Sequence, residues 1–271
     1  MSRVLRLAAK LWAFIRRDFL SLVSYRLAFV LQLFGMFFSL LAFFFMTKMM
    51  DPQAEGLNGI PPFDYLLIGL AFLSYFSTAL YAFAQKIRGE QMLGTLEAML
   101  VTPTHTHFVI FASAAWDFTY GAFRILLYLG FATLVFDVRL HVVSWPALLL
   151  GVALTLLSSA GVGILSAAFI LYFKRGDPIN FLLSGLTTFF GSVFFPIEQL
   201  PQWVQPAAKF VPMAWSLKVV RGSLLQGQSF SELREALLIL GVLTLVLLPA
   251  GLWASRIAIR RAKCEGSLVQ Y

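Results

Sequence analysis

Five stretches of this sequence run without a single charged residue for long enough to cross a bilayer, which takes about 20 apolar residues in a helix. They are 27–47, between Arg26 and Lys48; 65–85, between Asp64 and Lys86; 146–173, inside a longer run that ends before Lys174; 178–197, between Asp177 and Glu198; and 236–255, between Glu235 and Arg256. Backbone in hydrocarbon has no water to bond, so a helix is the expected state of each. A sixth stretch, 108–136, is apolar but carries Asp117 and Arg124. Each charge costs about 2.5–3.5 kcal/mol at the centre of an inserting helix. The Leu, Phe and Ile around them offset that cost, and topology needs the span. The expected fold is an all-α, polytopic membrane protein, a single transmembrane domain over residues 1–271 with six spans.

Composition agrees. Apolar residues make up 59% of the chain and charged residues 13%, against about 25% charged in soluble domains. The net charge of +8 does not point to nucleic acid, because the Lys and Arg residues flank apolar runs and form no polar, aromatic reading surface. With both termini inside, the cytoplasmic side receives fourteen of the 21 basic residues, which sets the orientation. The single Cys264 excludes an internal disulfide and a Cys-based metal site.

Residues 3–23 read as an amphipathic interfacial helix. Arg3, Arg6, Lys10 and Arg17 share one face, and Leu5, Ala8, Leu11, Trp12, Ile15 and Phe19 the other. Such a helix lies against lipid with its cations toward anionic headgroups. Arg16, Arg17 and Asp18 interrupt the apolar stretch, so a cleavable signal peptide is not expected. The segment 196–228 has Pro196, Pro201, Pro206 and Pro212 with Trp203 and Trp215 between them. Proline at that density forbids one continuous helix. Short outer re-entrant or interfacial helices are expected instead, near 199–210 and 212–225.

Between the second and third spans, residues 87–101 read as a cytoplasmic helix ended by Pro103. Met92, Leu93, Leu96, Met99 and Leu100 form its apolar root; Glu90, Gln91, Gly94, Thr95, Glu97 and Ala98 form the other face. A small, carboxylate-rimmed face of this kind suits the groove of another protein. The run Ile87-Arg88-Gly89-Glu90-Gln91, followed by Gly94-Thr95-Leu96-Glu97 and Thr102-Pro103, resembles the intracellular loop of ABC type-2 exporter permeases. So does the run from Phe195-Pro196-Ile197-Glu198 to Pro212 and Arg221, and the tail from Ala262 to Leu268.

The resemblance implies a permease subunit in the cell (inner, cytoplasmic) membrane that pairs with a second copy, a homodimer or a paralogue. Each permease docks an ATP-binding cassette ATPase through the loop helix. Glu90, Gly94, Thr95, Leu96 and Glu97 would make the coupling contacts, with Arg16 and Arg17 beside them, and a lipophilic or amphiphilic cargo would be exported. ATP and magnesium would sit on the partner ATPase, with no cofactor in this chain. The sequence contains no Gly-x4-Gly-Lys-Ser/Thr phosphate loop of its own, so no enzyme activity is expected from it.

Asp117 and Arg124 are two helical turns apart, within about 20° of one face, with Tyr120 between them. They are either a polar lining of the path, together with Phe190 and Phe194, or ions that fix packing with each other or with neighbouring helices. His105 and His107 lack further metal ligands nearby. Gly161, Gly163, Gly185 and Gly191 fit close helix packing. The alternative function is an ion-gradient-driven secondary transporter, which would need carboxylates in broken spans near the midplane; Asp117 alone qualifies.

Overall fold

The computed structural model describes residues 3–49, 57, 59–92, 106–173 and 177–264. Among these the chain is helical and contains no strand. The helices are α1 (Arg3–Ser24), α2 (Arg26–Lys48), α3 (Pro62–Met92), α4 (Thr106–Val135), α5 (Trp145–Phe173), α6 (Asp177–Phe190), α7 (Gln205–Ala208), α8 (Pro212–Leu224) and α9 (Phe230–Cys264). Five are long and apolar enough to cross a membrane, through Arg26–Lys48, Pro62–Phe83, Ala114–Val135, Trp145–Phe173 and Phe230–Arg261. The protein is a multi-pass membrane protein.

Helix ends follow local chemistry. Tyr25, with φ −101° and ψ 56°, is the elbow between the amphipathic α1 and the apolar α2. Asp137 takes a left-handed backbone (φ 53°) after α4, and the Val138 N–H reaches back to the Ala132 carbonyl at 3.0 Å. That is the bond pattern that closes a helix C-terminus. At the start of α9 the Glu232 carboxylate accepts from the Ser229 N–H (2.6 Å) and hydroxyl (2.8 Å), reaching back across the first turn as a capping-box Glu does.

The predicted fifth span, 178–197, is corrected. Its helix, α6, ends at Phe190, and residues 191–196 continue as turns and extended chain. The apolar stretch Ile179–Phe190 gives about 18 Å of helix, short of the roughly 30 Å of hydrocarbon. So five described helices, not six, have spanning length. The cause lies just beyond Phe190. Ser192 adopts φ 58°, Pro196 cannot donate a helical bond, and the Ser192 and Val193 carbonyls are held by Arg221 instead of by a continuing helix.

The outer segment is corrected at one end and matches at the other. The first short helix, expected near 199–210, is reduced to a 3-10 turn at Ile197–Gln199 and the single turn α7, because Pro201 and Pro206 interrupt the ladder. The second is α8, close to its predicted bounds. It does not lie on the surface: from Met213 to Leu224 every residue but the exposed Lys218 is buried. Met213, Leu217, Val220 and Leu224 pack into the α3 core, while Trp215 and Val219 face Ala147 of α5 and Leu233, Ala236, Leu237 and Leu240 of α9. The predicted loop helix 87–101 is also modified in part: residues 87–92 prolong α3 as one rod, and 93–101 lie outside the described residues.

Helix α3 is the axis of the bundle. In its most apolar window 67% of residues are buried, against 11% in α2, which lies at the rim. Helices α5 and α9 form the most extensive pairing, and Gly161 and Gly251 let them touch. A Cβ on Gly161 would come within 2.9 Å of the Leu247 carbonyl carbon, and one on Gly251 within 2.7 Å of the Gly161 carbonyl oxygen. Gly163 is likewise against the Ala79 carbonyl and Gly191 against Met213, whereas Gly185 faces open space and has no packing reason to be small.

Overpacking a tight contact costs about 1–3 kcal/mol. Gly161→Leu is therefore expected to lower the melting temperature of the detergent-solubilised protein, and Gly185→Leu to leave it unchanged. Equal melting of the two variants would contradict this packing.

Candidate functional site

Three polar clusters interrupt the apolar bundle, one at each end and one in the middle. At the α1 end, Asp18 is 9% exposed and sits where α1, α3 and α4 meet. Its carboxylate accepts from the Lys86 ammonium of α3 at 2.6 Å and from Arg17 Nε at 2.8 Å. The same ammonium is 3.7 Å from the Asp117 carboxylate of α4. Two carboxylates and two cations thus neutralise one another, and Phe19 packs edge-on against Trp116 beside them, with centroids 5.5 Å apart. Removing Lys86 would leave the buried Asp18 carboxylate with Arg17 alone among these cations.

Asp117 is therefore engaged by a neighbouring helix, and no ion pair joins it to Arg124 among the described residues. Of the two packing roles that spacing allowed, the structure has the inter-helix one. Tyr120 donates to Gln32 Oε1 of α2 at 2.7 Å. Arg124 lies halfway along the Ala114–Val135 span, and its Nε is buried with no hydrogen-bond partner among the described residues.

At the opposite end, Arg221 of α8 is 4% exposed and ties three segments together. Its Nη1 donates to the Ser192 carbonyl at 2.6 Å, Nη2 to Val193 at 3.0 Å and to Tyr65 at 2.8 Å, and Nε to Tyr65 at 3.2 Å. The guanidinium carbon also lies 3.4 Å from the centre of the Tyr65 ring. The Tyr65 hydroxyl in turn shares a 2.8 Å bond with the Ser192 hydroxyl. Burial pushes the Arg221 pKa down to about 10, so the side chain remains a cation at neutral pH. Among the described residues no carboxylate pairs with it; oriented carbonyl dipoles and an aromatic face hold it. Gly69 makes room for this cluster, since a Cβ there would meet both the Val193 carbonyl and Arg221 Nη2. Beside it, Asp64, Asp137, Arg139, His141 and Gln228 line a polar crevice of about 670 Å³.

The sequence-predicted site residues fall in separate places. Phe190 meets Phe189 edge-to-face and packs against Leu200, Val204 and Ala208, and Phe194 lies against Phe43. Both belong to the Arg221 end, whereas Asp117 is at the other. Arg16 is exposed on α1, and Arg17 splits between Asp18 and the face of Phe14, 5.3 Å away. Glu90 lies in the helical extension of α3; Gly94, Thr95, Leu96 and Glu97 fall outside the described residues. Sequence reasoning missed Asp18 and Lys86 as partners and Arg221 as a staple. The one signal for Arg221 was an arginine inside a short, mostly apolar helix.

Residues 9–225, most of the chain, match the family model described as ABC-2 type transporter. The chain belongs to the ABC-2 type transporter family. It is similar to the protein named inner membrane transport permease YadH of Escherichia coli K12, with 24% identity over 185 residues, 67% of this chain and 70% of the relative. The Shigella flexneri protein of that name matches to the same extent. ABC-2 type transporter chains of this kind are membrane subunits, not catalytic themselves, and the family works with an ATP-binding cassette ATPase. In this ABC-2 type transporter chain the matched region takes in all three polar clusters.

Each buried carbonyl left unpaired costs about 1–3 kcal/mol. Arg221→Met takes the guanidinium from three, of which the Ser192 carbonyl keeps a 3.1 Å bond from the Tyr65 hydroxyl, so a loss of roughly 1–3 kcal/mol is expected, read as a clear drop in melting temperature in detergent. Arg221→Lys, which lacks the planar fork, should recover only part of it. Full stability of Arg221→Met would refute the staple.

Proposed function

We propose that this chain is the translocating subunit of an exporter in the cytoplasmic membrane, both termini inside, working as a pair with a second permease copy. It is driven by a separate ATPase that grips the loop after α3 and exports a lipophilic or amphiphilic molecule. The observation that carries the reading is mechanical. Helix α3 is the bundle axis and continues without a break from Pro62 to Met92, so it leads straight from the core into the loop that resembles the exporters' docking helix. At the root of that extension Lys86 is tied to Asp18 of α1 and Asp117 of α4. A push on the loop would thus act on three helices at once. Export as the direction rests on the loop and outer-segment resemblance, and the inner-membrane location is supported by the name of the YadH relatives.

In this reading Glu90, Gly94, Thr95, Leu96 and Glu97 contact the ATPase, with Arg16 and Arg17 of α1 flanking the docking surface. ATP and magnesium are held by that partner. Asp117 sits one turn inside its span and is neutralised by Lys86, which suits a joint better than the midplane ion site of a gradient-driven carrier.

The test has two parts. With Cys264 changed to Ser, Thr95→Cys should react with a membrane-impermeant thiol reagent from the cytoplasmic side alone in oriented vesicles; labelling from the outside would overturn the topology and the docking role. With the ATPase co-reconstituted, Glu97→Arg should weaken docking about tenfold, equivalent to about 1.4 kcal/mol. Lys86→Met should keep docking but lower transport per ATP hydrolysed, and Lys86→Arg should retain it. Unchanged transport in Lys86→Met would remove the joint.

A further inference from the structure

A cleft of about 580 Å³ opens between the α1–α2 elbow and α4, walled by Phe19, Phe29, Val30, Trp116 and Phe123, with Arg26 among its lining residues. Its volume is that of a small-ligand site, about 300–1,000 Å³. The polar side chains in its wall other than Arg26 are already used. The Tyr120 hydroxyl donates to Gln32, and the Thr119 hydroxyl donates to the Ala115 carbonyl at 2.8 Å. Arg26 is the one charged residue lining the cleft among the described residues. It has no ion pair or side-chain hydrogen bond with another described residue and is exposed.

The order of these groups along the membrane normal is that of an amphiphile. Arg26 is the first residue of α2, at the boundary where the interfacial α1 gives way to the spanning helix. Val30 lies about 6 Å deeper along α2, and Phe123 about 10 Å deeper than Trp116 along α4, by helical rise. The apolar wall therefore reaches through most of one leaflet, about 15 Å of hydrocarbon, and ends at its polar edge in a cation. A guanidinium there can fork onto a phosphodiester while acyl chain fills the cleft behind it. Helix α1 adds exposed Lys10 and Arg16 on the same side, which favours anionic lipid locally.

We propose that this cleft is a binding seat for one anionic phospholipid of the leaflet in which α1 lies, its phosphate on Arg26 and a chain between Val30, Trp116 and Phe123. The seat needs neither the loop after α3 nor the Lys86 ion pairs, so it stands whether or not the exporter reading holds.

Trp116 lines the cleft and reports its occupant. A chain carrying Trp116 as its one tryptophan, the other five changed to Phe, is reconstituted in vesicles doped with phosphatidylglycerol or phosphatidylcholine brominated on the acyl chain. Quenching should favour the brominated phosphatidylglycerol about fivefold, the ~1 kcal/mol that one arginine contributes near an anionic surface. Arg26→Glu should abolish that preference while quenching by the phosphatidylcholine persists, and Arg26→Lys should keep it. If the single-tryptophan chain does not fold, the same preference is read as the difference between the unaltered protein and Trp116→Phe. Equal quenching by the two lipids, or a preference that survives Arg26→Glu, overturns the headgroup assignment. Absence of quenching by either means that protein, such as a second copy, covers the cleft, and overturns the proposal.

Discussion

A helix that stops inside a membrane protein must give its last carbonyls to something other than water. In this chain α6 stops at Phe190, and the carbonyls of Ser192 and Val193 go to Arg221. The same guanidinium takes the Tyr65 carbonyl at the first turn of α3. One side chain thereby allows a spanning-type sequence to end early, a buried helix to enter from the outer segment, and the bundle axis to be fixed at that end. The exchange is self-consistent: the cation needs acceptors as much as the carbonyls need a donor. Gly69 and the Tyr65 ring supply the space and the aromatic face that let it sit so close.

How much of this was legible follows from which signals are local. A charge-free run of sufficient length is local, so α2 and α5 appear close to their predicted bounds, α4 does so despite its two charges, and α3 appears but runs past its predicted end at 85 to Met92. Amphipathic period is local too, and α1 ends one residue from its predicted limit. The fifth run, 178–197, looked as good as the others because hydropathy counts residues and not hydrogen bonds. Pro196 inside the run marks only its far end; the acceptor change at Ser192 and Val193 depends on an arginine about thirty positions downstream, which no window on the run contains. The same holds for Asp117. Its helical spacing pointed to Arg124, but its nearest cation is Lys86, which only the neighbouring of α3 and α4 brings to it. Spacing along one helix lists the candidates; the arrangement of helices chooses among them.

The outer segment shows a third kind of limit. Proline density correctly forbade a continuous helix, and the Trp-rich composition suggested the interface. Yet α8 is almost wholly buried, with Met213, Leu217 and Val220 on one neighbour and Trp215 and Val219 on another. A helix apolar on two faces belongs between elements, and its short length was no guide to its depth.

The two ends of the bundle are held by different physics. At the Arg221 end the contacts are a nearly inaccessible guanidinium, three carbonyls and a ring, which water and salt do not readily replace. At the α1 end the ties are ion pairs, and the Lys86 and Asp117 side chains are 25% and 28% exposed. Partly exposed pairs gain less from Coulomb attraction and are screened by salt, so they exchange partners at modest cost. On the proposed reading, a subunit pushed from its loop would yield first where α1, α3 and α4 meet, with the Arg221 end as the fixed point about which α3 would tilt. The location of Lys86 at the root of the α3 extension would make that asymmetry useful on this reading: displacement would enter at the end whose bonds can change, and the staple at the other end would turn it into rotation of the axis on which the bundle is packed.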